Sequence, residues 1–429
     1  MNTLWYYLIG FIIIWIIGIS LRKKDYITLE FPVLMLKTER LRGTIDYIAK
    51  INPKFWKWVM NLGIPICIIL MIFMIYALIL SLQLMFEMPT ASLLLPGVDI
   101  PGSPIYIPFT VGIIALATVM IVHEFSHGIL ARTENVSIKS IGVLLLAILP
   151  GAFVEPDEEE VEKCNGTSKI RIYIAGVMAN LGLCLVAFLL LSAISGFLVN
   201  ENVYESDGMS ITSVVAGSPA EGIIPEGSVI HQINDKPIKS YTDYTTSLQN
   251  ISKGDSVSLS TTRGTYNIIT QASPSNQSKA YIGIRSKENV VVTPTAQEKY
   301  GTTIPWILTQ LRELFYWIFL LNFAVGTFNI LPSKPLDGGL VFEEMLKCNI
   351  RPDRRKEFND SLNRKTKIFP KRVRCFISKV FNKILDFLNN HQLKEETIDK
   401  IMKATSTFII VIVIILVIYG TVPGILKMI

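Results

Sequence analysis

Six runs of apolar side chains dominate the 429-residue sequence, and a chain that carries them has few ways to fold. They are Met1–Leu21, Trp58–Phe86, Ile107–Leu130, Tyr173–Val199, Leu314–Pro332 and Phe408–Val422. Each is long enough, or nearly so, to cross about 30 Å of hydrocarbon. Half of all residues are hydrophobic, which fits a membrane protein better than a water-soluble one. The first run has no basic residue ahead of it and no small-residue cleavage site, and Arg22, Lys23 and Lys24 follow it. It reads as a retained helix, not a signal peptide. The five cysteines are scattered, without metal or redox spacing, so no disulfide framework is expected.

Orientation follows from Lys and Arg in the short loops. Nine of them lie between Arg22 and Lys57, none between Glu87 and Pro104, and residues 334–403 are strongly basic. Six spans with both termini outside satisfy every loop. The chain then divides into two helices with a basic cytoplasmic loop (1–92), the first half of a membrane core (93–200), and an extracytoplasmic insert (201–290). The second half of the core (291–350), a basic cytoplasmic segment (351–403) and a last helix (404–429) follow. Lys371–Leu388 has apolar residues at helical spacing with basic residues between them, as an amphipathic helix on an anionic leaflet would or an ordinary surface helix would. The basic stretches are explained by topology, and no nucleic-acid module is visible.

The insert is polar, rich in Gly and Ser, and alternates apolar residues with period two between turn signals, which predicts a small β-rich domain. "GSPAEGIIPEGSVIHQIND" from Gly217 resembles a PDZ domain in permuted order. That resemblance implies a groove for an extended peptide or a chain terminus; a β-rich domain that only obstructs access is the alternative.

The third run contains "HEFSH". His123 and His127 are four residues apart and share a helix face, which suits two ligands of one zinc ion, with Glu124 beside them to take a proton from water. Two of the chain's four histidines sit here. Ionisable groups within a span are costly and usually mark function. A catalytic zinc site normally has three protein ligands, so a third is expected from another span. Asp337, in "NILPSKPLDGG" at the end of the fifth run, arrives at the same side and depth; a turn residue is the competing reading. Ile141–Asp157 is apolar, interrupted by "PG", and too short for two crossing helices, which predicts a re-entrant hairpin.

Together, "HEFSH", "NILPSKPLDGG" and a PDZ-like insert between them resemble the site-2 protease family of intramembrane zinc metalloproteases, and an archaeal-like member with one PDZ domain in particular. The family's second motif, N-x-x-P-x-x-x-x-D-G, is met by Asn329, Pro332, Asp337 and Gly338. "GVMAN", with Gly176 and Asn180, is similar to its G-x-x-x-N element. The resemblance implies a polytopic α-helical membrane fold with His123, His127 and Asp337 on zinc. Glu124 would then be the general base, and Asn329 a donor to substrate backbone or developing oxyanion. Gly176 and Asn180 either face substrate or serve only close helix packing. The implied substrate is a membrane-spanning protein. A non-enzymatic scaffold or chaperone on the same fold is the runner-up, and the intact HEFSH with Asp337 argues against it. A metal transporter would spread polar residues over several depths.

Overall fold

The computed structural model describes residues 3–21, 26–30, 32–86, 95–98, 105–146, 149–249, 251–272, 280–347, 379 and 393–425. The chain forms two compact units, Met1–Leu189 with Glu313–Ile429, and Leu190–Arg312. The Lys371–Leu388 helix expected from the sequence lies outside the described residues, apart from Lys379.

The first unit opens with α1 (Thr3–Leu21), β1 (Ile27–Glu30), β2 (Val33–Thr38), α2 (Arg42–Ile51) and α3 (Pro53–Leu84). There follow α4 (Phe109–Thr133), β3 (Ile138–Leu146), β4 (Leu149–Pro156), α5 (Glu158–Lys163), α6 (Gly166–Tyr173) and α7 (Ala175–Asn200). Among the described residues, five helices are long and apolar enough to cross a membrane: α3, α4, α7, α10 (Thr303–Asn329) and α12 (Glu395–Ile425). Six were expected. The first run does form a helix, α1, whose described part, Tyr7–Ser20, is apolar. Its Trp15 packs with Ile27 and Leu34 of the first two strands.

The apolar segment 141–157 is a β-hairpin, with Ile141 opposite Val154 and Leu145 opposite Pro150. In the structure "ITLEFPVLMLKT" adds two more strands, giving an antiparallel sheet in the order β1-β2-β3-β4 with Lys37 opposite Gly142. This leaves β4 at the sheet edge, and α4 packs against it.

On α4 the buried residues Gly112, Ala115, Val119 and His123 recur every three or four positions. They form the packed face, and their small size lets neighbouring helices approach closely. Two clusters meet it. Ala115 and Val119 pack with Ala187 of α7 and with Trp317, Ile318 and Leu321 of α10. Leu130 and Ala131 pack with Val177, Ile330 and Val341. The last of these lies on α11 (Asp337–Leu346), which follows the turn after α10.

The second unit holds β5 (Tyr204–Val214), β6 (Val229–Ile233), β7 (Lys236–Pro237), α8 (Tyr241–Gln249), β8 (Ser256–Thr261) and β9 (Gly264–Ile269). It continues with β10 (Gln271–Ala272), β11 (Ala280–Tyr281), β12 (Ile284–Val292) and α9 (Pro294–Tyr300). One sheet runs β12-β5-β6-β8-β9, with β7 on β6. Its core includes Met209, Ile211, Ile230, Ile233, Val257 and Leu259. The unit is wider than 201–290. Leu198 of α7 and Leu308 of α10 pack with Val203 and Ala296, so the ends of both helices belong to it.

Candidate metal centre

Two helices bring three candidate ligand atoms to one point. His123 and His127 stand one turn apart on α4. Asp337 is the first residue of α11, after Pro332 and Pro335 have ended the run of α10 and turned the chain. Gly338 allows the turn to close, because a Cβ there would overlap the carbonyl of Ile330. Asp337 Oδ2 is 3.1 Å from His123 Nε2 and 3.3 Å from His127 Nε2, and the two Nε2 atoms are 3.3 Å apart.

That triangle fits a metal better than it fits hydrogen bonds. Oδ2 is buried and, despite these distances, has no hydrogen-bond partner. Three donors around an ion at about 2.0–2.1 Å in tetrahedral geometry stand about 3.3 Å from one another. The observed edges match this, and two imidazoles with one carboxylate are a donor set suited to zinc. No other group of three or more His, Cys, Asp or Glu among the described residues is placed to hold a metal.

The surroundings orient the ligands. His127 Nδ1 lies 2.8 Å from the carbonyl oxygen of Ile172. Ile172 is in the last turn of α6, where carbonyls lack an in-helix donor. Nδ1–H donation there leaves the Nε2 lone pair for a metal. Gly176 of α7 is packed against both imidazoles, and a Cβ on it would come within 2.5 Å of His123 Cε1 and of His127 Nε2. Asn180, one turn on, is wholly buried with its amide nitrogen 3.2 Å from His123 Nδ1. Asn329, the last residue of α10, has its amide nitrogen 3.4 Å from His123 Nε2. Glu124 Oε2 accepts from the backbone N–H of Val154 on β4 at 3.1 Å.

All seven residues singled out in the sequence therefore lie in one site. Sequence reasoning did not find the Ile172 carbonyl or the Val154 amide, since backbone groups leave no residue-type signal. It also missed Ser406 of α12, whose hydroxyl accepts from the Lys334 N–H at 3.0 Å and so holds the turn that carries Asp337. An apolar groove of about 310 Å³ lies between α1, β2, α4 and the hairpin, lined by residues that include Ile14, Leu36, Met120, Ile121, Val143 and Ala152.

His123, His127 and Asp337 thus converge, with Glu124 beside them, among helices long and apolar enough to cross a membrane. The profile of Peptidase family M50 matches residues 111–366, and the chain belongs to that family. "Uncharacterized protein MJ0971" of Methanocaldococcus jannaschii is 33% identical over 81% of this chain and 88% of its own. "Putative zinc metalloprotease CPE1693" of Clostridium perfringens is 24% identical over 58% of this chain and 91% of its own. The Arabidopsis thaliana "Membrane-bound transcription factor site-2 protease homolog" is 29% identical, over 25% of this chain and 21% of its own. A solved PDZ domain, from the SdrC-like protein of Listeria monocytogenes, is 24% identical over 19% of this chain and 87% of that one, at a TM-score of 0.17. The last likeness is too slight to carry weight.

Proposed function

We propose that the chain is an intramembrane zinc endopeptidase of the site-2 type, which cleaves membrane-anchored proteins within or near a transmembrane segment. The observation that carries this is the triangle formed by His123 and His127, on the membrane-length helix α4, with Asp337 at the start of α11, and with Glu124 alongside. A scaffold on the same fold would have no need for three converging ligand atoms.

His123 Nε2, His127 Nε2 and Asp337 Oδ2 would hold zinc. When bound, zinc acidifies a water molecule and polarises the scissile carbonyl. Glu124 takes the proton of the attacking water and returns it to the leaving amine. The Asn329 amide, next to the ligands, donates to the carbonyl oxygen as negative charge develops on it. A helical substrate hides its scissile carbonyl in hydrogen bonds, so it must first unwind. The free edge of β4 is suited to receive the unwound segment, and the groove beside it to receive apolar side chains. Loop charge supports an orientation with 201–290 outside the cell membrane and the basic 334–403 stretch inside. The β-rich domain then meets the substrate's ectodomain, as a peptide-binding groove or as a barrier to large substrates.

The purified protein should carry about one zinc ion per chain, and Asp337→Ala or His123→Ala should lose most of it. Metal analysis showing full zinc in both variants would remove the basis of the proposal.

A further inference from the structure

We infer that Asn180 is a positioning residue for the metal centre: its side-chain carbonyl accepts the Nδ1 proton of His123 and so presents the Nε2 lone pair to zinc. The inference rests on reading the His-His-Asp triangle as a zinc site.

Two observations lead to it. Asn180 is wholly buried, and its Oδ1 has no hydrogen-bond partner. A buried amide oxygen left without a donor is costly. Meanwhile its Nδ2 faces His123 Nδ1 at 3.2 Å. An amide nitrogen only donates, so in this orientation Nδ1 must be the acceptor. A neutral imidazole that accepts at Nδ1 carries its proton on Nε2. Yet Nε2 is the atom aimed at Asp337 and His127, and a protonated nitrogen cannot ligate.

A half-turn of the amide about its last side-chain bond resolves the tautomer conflict and gives Oδ1 a donor, while the amide N–H groups take the position the oxygen held. Oxygen and nitrogen exchange places, and the orphaned Oδ1 then meets Nδ1–H of His123. The two imidazoles are then treated alike. His127 Nδ1 is held by the Ile172 carbonyl and His123 Nδ1 by the Asn180 carbonyl. Each ligand has one nitrogen fixed by an acceptor and the other free for metal. The seat for Asn180 comes from α10, where Gly326 lies so close that a Cβ would sit 3.2 Å from Asn180 Cβ. This explains why an asparagine occurs four residues after Gly176 in an apolar helix. Gly176 gives the imidazoles room, and Asn180 sets the tautomer of the first.

The test is zinc affinity of the full-length protein, measured by chelator competition with zinc alone, so that cleavage is not the readout. Asn180→Asp keeps an acceptor and cannot donate; Asn180→Leu has similar size and can do neither. The aspartate variant should bind zinc at least as tightly as wild type, and the leucine variant about 10- to 100-fold more weakly. Asn180→Ala stands in if leucine prevents folding. A fall in the aspartate variant as large as in the leucine or alanine variant would overturn the inference, as would unchanged affinity on truncation. His123→Ala separates the two levels. If it leaves zinc binding intact, the metal-site reading fails. If it abolishes binding while Asn180→Leu does not change it, only the role of Asn180 fails.

Discussion

Glu134, the residue after α4, holds the helix that carries His123 and His127 in place by charge. Its side chain is only 5% exposed and meets Lys57 at 3.1 Å, Arg171 at 2.8 Å and the Ser168 hydroxyl at 2.8 Å. Burial alone would raise its pKa, but the bonds from Arg171, Ser168 and Lys57 outweigh burial and hold it below the ordinary glutamate value. A carboxylate with a depressed folded-state pKa stabilises the fold fully above the unfolded value of about 4.3, and loses that contribution as pH falls through the folded value. Thermal unfolding in detergent should therefore show a midpoint that drops on acidification below about pH 4.5. Glu134→Gln should lower the midpoint by a few degrees at pH 7 and flatten that acid dependence; an unchanged acid profile would mean the cluster does not anchor α4. At this scale the residues of the candidate metal centre were legible in the sequence. His123 and His127 declare themselves by spacing inside an apolar run, and Asp337 by its place at the end of another. Asn180 was visible only as a motif position. Its contact with His123 depends on how α4 and α7 pack and on how one side chain turns, neither of which residue order encodes.

Among the elements, the sheet edge is the part the sequence revealed least. The hairpin was legible because "PG" interrupts an apolar stretch too short for two helices. Its extension by β1 and β2 was not, because both lie in a basic loop and β2 pairs with residues more than a hundred positions away. That pairing leaves β4 with one free edge. Val154 points its N–H away from β3, to Glu124, so Ala152, two residues earlier, presents its own N–H on the same side. Pro150 and Pro156 share this phase and have no N–H to offer, which confines strand addition to a short stretch between them. Ala152→Pro should remove the remaining donor. We expect kcat/KM for a membrane substrate to fall about fivefold with zinc content unchanged, the effect of one backbone hydrogen bond. Steady-state kinetics in proteoliposomes would check this, and full activity would show that substrates do not pair with this edge. The apolar character of α1 was also legible, but its packing through Trp15 onto the strands was not.

For the whole molecule, the ligands all lie in the first unit and the β-rich sheet in the second. Replacing residues 201–290 by a short linker should leave zinc binding and some cleavage of a short substrate, while changing the preference between full-length and ectodomain-trimmed substrates. Unchanged preference in a folded, zinc-loaded deletion variant would exclude a filtering role. The central claim is that this chain hydrolyses peptide bonds inside the membrane with Glu124 as base. The most direct measurement is cleavage of a membrane-spanning reporter by purified wild-type and Glu124→Gln protein in proteoliposomes, with the products mapped by mass spectrometry. The account predicts a cut in the cytoplasmic half of the reporter's membrane segment, favoured by Gly, Pro or Asn near the bond, of which Gly eases helix unwinding by about 1 kcal/mol and Pro by about 3 kcal/mol. It predicts a loss of at least about 100-fold in the zinc-loaded Gln variant. Near wild-type cleavage by that variant, or a cut in the outer half of the segment, would contradict it.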